Sequence, residues 1–352
     1  MTYYSECIGK CEALKNKKGV RILAIESSCD ESAAAVVRDG RVIESSAVYS
    51  QIDLHALYGG VVPEIASRSH VQKVDLMVEK ALDEAGCALE DVDAVGVTYG
   101  PGLVGSLLTG VTCAKALAFA ARKPLVKVNH IEGHICANYL TRADLEPPFL
   151  CLVVSGGHSH ILMVEDYGEY RLMGCTRDDA AGEAFDKAAR VLGLPYPGGP
   201  RLDRLAEEGN ADFLKLPRPH TEGKYDFSFS GLKTAFINAA HNMAQKGISP
   251  EPKDMAASFR KAVVDFLTDR TMACARDMGI RRLALAGGVS ANSLLRREMT
   301  ALCGREGIEL YLPRMELCGD NAAMIASAAY FRLMRGEIAD LELNEVPSLR
   351  LV

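Results

Sequence analysis

The same three-stranded plan occurs twice in this chain, and few folds accommodate that. Residues 20 to 50, "VRILAIESSCDESAAAVVRDGRVIESSAVYS", read as a buried strand, a tight polar turn, a second strand, an Asp-Gly hairpin turn and a third strand. Residues 148 to 174, "PFLCLVVSGGHSHILMVEDYGEYRLMG", repeat it with a "SGGHS" turn and a "YGEY" turn. The sequences differ while the plan recurs, which implies an internal duplication. Helical and strand patterns alternate after each unit. Helices are expected near 70 to 87, 103 to 123, 180 to 192, 199 to 208, 231 to 246, 254 to 278, 290 to 302 and 320 to 335, with strands near 92 to 100, 124 to 130, 282 to 286 and 308 to 312. The expected fold is therefore α/β, with two lobes of mixed sheet covered by helices. The expected boundaries are a polar tail over 1–20, a first lobe over 21–149 and a second over 150–352, closed by the helix near 320–335.

At 352 residues and 48% hydrophobic, the chain can bury a substantial core. Its formal net charge of -6 argues against nonspecific coating of nucleic acid. The eleven cysteines are odd in number and include no C-x-x-C pair, so reduced thiols of a cytoplasmic protein are expected. The start, "MTYYSECIGKCEALKNKKGV", has no apolar signal core. The most apolar stretch, "VTCAKALAFAA", is too short to span a membrane.

Chemistry is expected in the turns, because ligands of such folds sit at strand ends. "IESSCDES" packs acids and serines where Asn-Gly would suffice to reverse the chain, and Asp30 or Glu31 could manage a proton. "TYGPGLVGS", "VVSGGHSH" and "ALAGGVSANSLLRRE" each pair glycines with a hairpin or a helix start. Each pair fits either close strand–helix packing or exposed amides for a phosphate. The third is read with Ser290 as helix cap and Asn292 facing a base or ribose. In "VNHIEGH", His130 and His134 stand four apart on one helix face, which fits either two metal ligands or two core histidines. A protease motif would read H-E-x-x-H, and Glu132 is misplaced for that role. Asp320, at the start of an apolar helix, is a candidate third ligand.

Together "IESSCDES", "HALYGGVVPEIASRSH", "YGPGLVGSL", "VNHIEGH", "VSGGHSH", "DDAAGEAFDKAARVLGLPYPGGP", "FSFSGLKTA", "AGGVSANSLLR" and "CGDNAAMIA" resemble the tRNA adenosine threonylcarbamoyltransferase family of TsaD type, over about residues 21 to 340. The resemblance implies the actin-like, sugar-kinase and Hsp70-like fold around a nucleotide cleft. It implies one divalent metal ion, Fe²⁺ or Zn²⁺, on His130, His134 and Asp320. It implies ligand contacts at Val153, Val154, Ser155, Gly156 and Gly157, and at Asp186, Gly199, Asp203 and Asn292. Without it, Asp186 and Asp203 would read as helix-surface charges. Asp30, Glu31 and His158 align with residues that matter for activity in relatives and are carried as catalytic candidates.

The implied reaction moves threonylcarbamoyl from threonylcarbamoyl-AMP to N6 of adenine 37, in the anticodon loop of tRNAs reading codons that begin with A. The implied partners are a paralogous scaffold subunit of TsaB type and a small ATPase of TsaE type. Archaeal and eukaryotic cytosolic relatives carry tyrosine and asparagine where this chain has Val153 and His158, so the chain resembles the bacterial type, with three protein ligands. The tail with Cys7 and Cys11 departs from the family's usual start. The rival readings are a small-molecule kinase, a metalloprotease and a binding scaffold.

Overall fold

A computed structural model describes residues 2–352. The chain divides into two compact units: Met1–Leu145 with Asp166–Glu169 and Pro313–Val352, and Glu146–Glu165 with Tyr170–Leu312.

The first unit opens with α1 (Tyr3–Leu14) and continues through β1 (Arg21–Glu26), β2 (Glu31–Arg38), β3 (Val42–Ser50), α2 (Ile52–Ala56), α3 (Pro63–Ala85), β4 (Ala94–Gly100), α4 (Val104–Ala120), β5 (Leu125–Asn129) and α5 (His130–Thr141). Its sheet runs β3-β2-β1-β4-β5. The hairpin strands pair antiparallel, and β1, β4 and β5 pair parallel. β1 is apolar on both faces, as a central strand must be. Leu23 and Ile25 join a core with α3 and α4, including Val74, Val78, Val111 and Ala114. Full burial of such a side chain is worth about 1.5–3 kcal/mol. The β2–β3 reversal turns at Asp39 and Gly40, with φ of 52° and 66°, left-handed values that Gly adopts freely and Asp tolerates. Because β1, β4 and β5 are parallel, their C-terminal ends share one edge of the sheet. That edge carries Glu26, Gly100 and Asn129.

The expected polar tail is instead a helix. Thr2 caps α1 by accepting from the Ser5 amide at 3.3 Å, and Cys7, Cys11 and Leu14 form a buried stripe along it. Tyr3 donates its hydroxyl to the Lys123 carbonyl at 2.6 Å. The segment reads as polar only when its cysteines are not counted as small hydrophobes.

The second unit contains β6 (Phe149–Val154), β7 (Ser159–Asp166), β8 (Glu169–Cys175), α6 (Ala181–Val191), α7 (Gly198–Ala206), α8 (Ser230–Gln245), α9 (Pro252–Asp277), β9 (Arg282–Ala286), α10 (Ser293–Glu306) and β10 (Glu309–Tyr311). Its sheet order is β10-β9-β6-β7-β8. Strands β6 and β7 pair antiparallel, while β6, β9 and β10 pair parallel. Hairpin on one side and parallel strands on the other is the plan of the first sheet, as the internal repeat predicts. Among the helix starts, α10 differs from expectation. Ser290 lies in a short 3₁₀ turn, and Asn292 is the cap, accepting from the Leu295 amide at 3.0 Å.

The chain ends with α11 (Ala322–Met334), which packs on α5 and β1 of the first unit. Residues 313–352 thus belong with the first unit, not with the second lobe as expected. The physical reason is that α11 is apolar nearly all round and must be covered on several sides. Gly96 and Gly133 permit the approach: a Cβ on Gly96 would lie 2.7 Å from Ala329, and one on Gly133 2.5 Å from Ile325. All eleven cysteines are free. Among the described residues no helix is long and apolar enough to cross a membrane.

Candidate functional site

The strand edge that carries Glu26 and Asn129 also carries the histidine pair. Asn129 ends β5 and caps α5, accepting from the Ile131 amide at 2.9 Å, so the helix begins at the sheet edge with His130 in its first turn. His134 follows one turn later. Both are buried, with ring centroids 4.7 Å apart and planes at 76°. Asp320 enters from the start of α11, where Asn321 caps the helix by accepting from the Met324 amide at 2.9 Å. Its Oδ1 lies 3.5 Å from His130 Nε2 and 3.3 Å from His134 Nε2.

The three donor atoms lie within 4.8 Å of one another. Bonds of about 2.1 Å from a tetrahedral ion would put its ligands about 3.4 Å apart. Both ring nitrogens of His134 are buried without a hydrogen-bond partner, which is costly for imidazole unless an ion takes one of them. The electrostatics agree. Burial disfavours a charged His130, yet Asp320 and then Glu26 outweigh it and raise the imidazole to about 9, so the surroundings favour positive charge here. Burial, then the charges of Asp320 and Asp30, pushes the neighbouring Glu31 carboxyl up to about 10. A cation beside Asp320 would relieve that crowding of acids. The residues therefore fit a divalent metal.

Glu132 faces elsewhere. Its Oε2 is 2.6 Å from Nε of Arg332, so it offers no base to the histidines, and the protease geometry is absent at this helix. Asp30 is buried in the β1–β2 turn, where its carbonyl accepts from the Gln51 amide at 3.0 Å. Glu31 accepts from the Ser50 hydroxyl at 3.0 Å. The "YGPGLVGS" turn serves packing rather than phosphate. A Cβ on Gly102 would meet the Ser28 carbonyl at 2.5 Å, and one on Gly105 the Ser67 hydroxyl at 2.4 Å.

In the second unit, the Val153 and Val154 side chains are buried, so only their backbone could meet a ligand. The Ser155 amide donates to the His158 carbonyl at 2.8 Å, and the His158 amide donates to the Ser155 hydroxyl at 3.2 Å. Gly156 and Gly157 are exposed with open space around them. The Ser155 amide is thus already engaged. Asp186 is no surface charge: its Oδ1 accepts from the amides of Gly198 and Gly199, both at 2.9 Å, anchoring the start of α7. Asp203 is likewise engaged. It accepts from the Ser293 amide at 2.9 Å and from Arg260 at 2.9 Å, tying α7 to the α10 start beside Asn292.

Sequence reasoning missed Glu26, Arg260 and Ser293. Glu26 did leave a signal, as the one charge closing the apolar run "ILAIE". Arg260 left none, since Asp203 is 57 residues away.

Comparison with known proteins identifies the family. Residues 42–327 match the family model "TsaD: tRNA N6-adenosine threonylcarbamoyltransferase". A protein of that name from Clostridium botulinum is 53% identical over 336 residues, 95% of this chain and 99% of the relative. One from Clostridium kluyveri is 52% identical, with 95% and 98% covered. Among solved structures, HypF of T. kodakarensis matches with a TM-score of 0.63 at 15% identity, over 90% of this chain and 48% of that one. Component A of the Acidaminococcus fermentans (R)-2-hydroxyglutaryl-CoA dehydratase matches with a TM-score of 0.50 at 15% identity, over 90% and 99%. Such remote likeness speaks to the actin-like ATPase fold alone. The family model and the half-identical relatives carry the assignment: this chain belongs to the TsaD family of tRNA N6-adenosine threonylcarbamoyltransferases.

Proposed function

We propose that the protein transfers the threonylcarbamoyl group of threonylcarbamoyl-AMP to N6 of adenine 37 in tRNAs that read codons beginning with A. A C–N bond forms at the carbonyl, the C–O bond to phosphate breaks, and AMP leaves with the electron pair. The aromatic amine is a weak nucleophile, so the adenylate supplies the leaving group that the reaction needs. The observation that carries this reading is the buried convergence of His130, His134 and Asp320, with His134 otherwise unpartnered. Held there, Fe²⁺ or Zn²⁺ would serve as template and Lewis acid for the adenylate.

The remaining roles belong to the chain. The open amides of Gly156 and Gly157 steady phosphate or oxyanion charge. The nucleoside is held by the set containing Asp186, Gly199, Asp203 and Asn292, with Val153, Val154 and Ser155 shaping the hairpin that approaches it. Asp30 or Glu31 accepts the proton leaving N6. His158 is the third candidate, in the hairpin turn. Extrusion of the adenine costs little in a single-stranded loop. An acidic chain without tryptophan grips tRNA poorly by itself. We therefore expect a TsaB-type scaffold and a TsaE-type ATPase as partners in the cytoplasm.

The test is transfer of labelled threonine into unmodified tRNA by the purified protein with the adenylate synthase and both partner subunits. His130→Ala and His134→Ala should abolish the label. Variants that match wild type would remove the metal from the mechanism, and an inactive wild type would remove the reaction.

A further inference from the structure

Glu26 closes β1 and is fully buried, at 0% exposure. An acid in such a place is held only by donors that satisfy it. Three converge on it. The Ser28 amide donates to Oε1 at 2.5 Å, and the Thr98 hydroxyl donates to Oε2 at 2.7 Å. Nδ1 of His130 lies 3.0 Å from the same Oε2.

We propose that Glu26 is a positioning residue that fixes the ring orientation and tautomer of His130 for cation binding. The inference rests on the reading of His130, His134 and Asp320 as the metal set. An ionised carboxylate only accepts, so the ring proton facing Glu26 must sit on Nδ1. The lone pair is then on Nε2, the nitrogen 3.5 Å from Asp320. Ser28 makes the choice consequential. Its hydroxyl is 3.1 Å from the same Nδ1 and could donate to it, which would move the proton to Nε2 and block the cation. Glu26 excludes that arrangement, and its negative charge strengthens the imidazole as a ligand. Thr98 and the Ser28 amide hold the carboxylate while it does so, which explains a threonine hydroxyl buried at the end of β4.

The experiment is a zinc titration of the chelator-stripped, full-length protein against a competing chromophoric chelator, for wild type, Glu26→Gln, Thr98→Val and His134→Ala. An amide offers one accepting atom where two oxygens now accept from three donors, so Glu26→Gln must turn its NH₂ toward a donor. Glu26→Gln is expected to weaken zinc binding about 10–100-fold, and Thr98→Val by less. In zinc-loaded protein labelled with ¹⁵N-histidine, the Nδ1–H signal of His130 should be present and protected in wild type and shifted or lost in Glu26→Gln. Should Glu26→Gln fail to fold, Thr98→Val and Glu26→Asp carry the test through the same two readouts. Zinc affinity and Nδ1–H signal both unchanged in these variants, with His134→Ala impaired, would overturn the role of Glu26 alone. Wild type and His134→Ala binding zinc equally poorly would overturn the metal reading with it.

Discussion

Glu132 and Arg332 meet at 2.6 Å, joining α5 to α11, the two helices that carry the histidine pair and follow Asp320. The carboxylate is 1% exposed, so removing the guanidinium takes the ion-pair partner from a buried charge. Arg332→Ala should therefore destabilise the protein by about 3–5 kcal/mol, read as a lower urea midpoint. Glu132→Gln should retain threonylcarbamoyl transfer in its folded fraction, because Glu132 does not face the histidines. Its inactivity while folded would return Glu132 to the chemistry.

Removing the ion should act on stability as well as activity. A ligand at about a hundredfold its Kd stabilises a fold by roughly 2.7 kcal/mol. Chelation should lower the Tm of wild type and leave Asp320→Ala unmoved. An equal response in both would mean that Asp320 is not a ligand.

Arg260 holds Asp203 at 2.9 Å and Glu207 at 2.5 Å and is almost fully buried. Arg260→Leu leaves both acids without that partner and loosens the α7–α10 contact. The expected outcome is a KM for the adenylate raised about tenfold or more, since hydrogen bonds to charged groups are worth about 1.5–3 kcal/mol, with a smaller change in kcat. A kcat effect alone would detach Asp203 from nucleoside binding.

The N-terminal helix contributes stability rather than chemistry. Cys7 is fully buried, and Cys11 Sγ lies 3.2 Å from the Leu333 carbonyl on α11. Cys7→Ser should cost about 1–3 kcal/mol as a buried hydroxyl, and deletion of residues 2–15 more. Both should leave zinc affinity within a few-fold of wild type, which equilibrium dialysis would check.

Alkaline pH should unfold the protein through its thiols. Burial, with Asp75, Asp277 and Glu306 nearby, pushes Cys113, Cys274 and Cys303 up to about 11 from 9.0. The folded chain keeps these protons after the unfolded chain has released them. Their contribution is fully present below pH 9 and lost as pH rises through 11. Urea midpoints should fall between pH 8 and 10.5, and less steeply in Cys274→Ala and Cys303→Ala.

Much of this was legible in the residues. The duplicated hairpins announce themselves because alternation and turn chemistry are local, and the His130–His134 spacing is a property of one helix. Asp320 is different: its place beside them depends on α11 returning to the first unit, so its position at a helix start made it a candidate that the family resemblance then strengthened. The domain boundary failed for the same reason, since chain order does not say which sheet an apolar helix will cover. The α1 segment was missed because its buried stripe consists mainly of cysteines. Asp203 and Arg260 meet across 57 residues, a pairing with no local pattern.

Glu132 and Arg332 are 200 residues apart in the chain, and the histidines and Asp320 straddle a similar interval. During synthesis, His130 and His134 leave the ribosome long before α11 exists. The first unit must therefore wait, incomplete, while the whole second unit is made. A nascent or prematurely terminated chain holds the two imidazoles without Asp320. Only the finished polypeptide brings Asp320 to the two imidazoles, so a chain cut before α11 leaves the cluster incomplete.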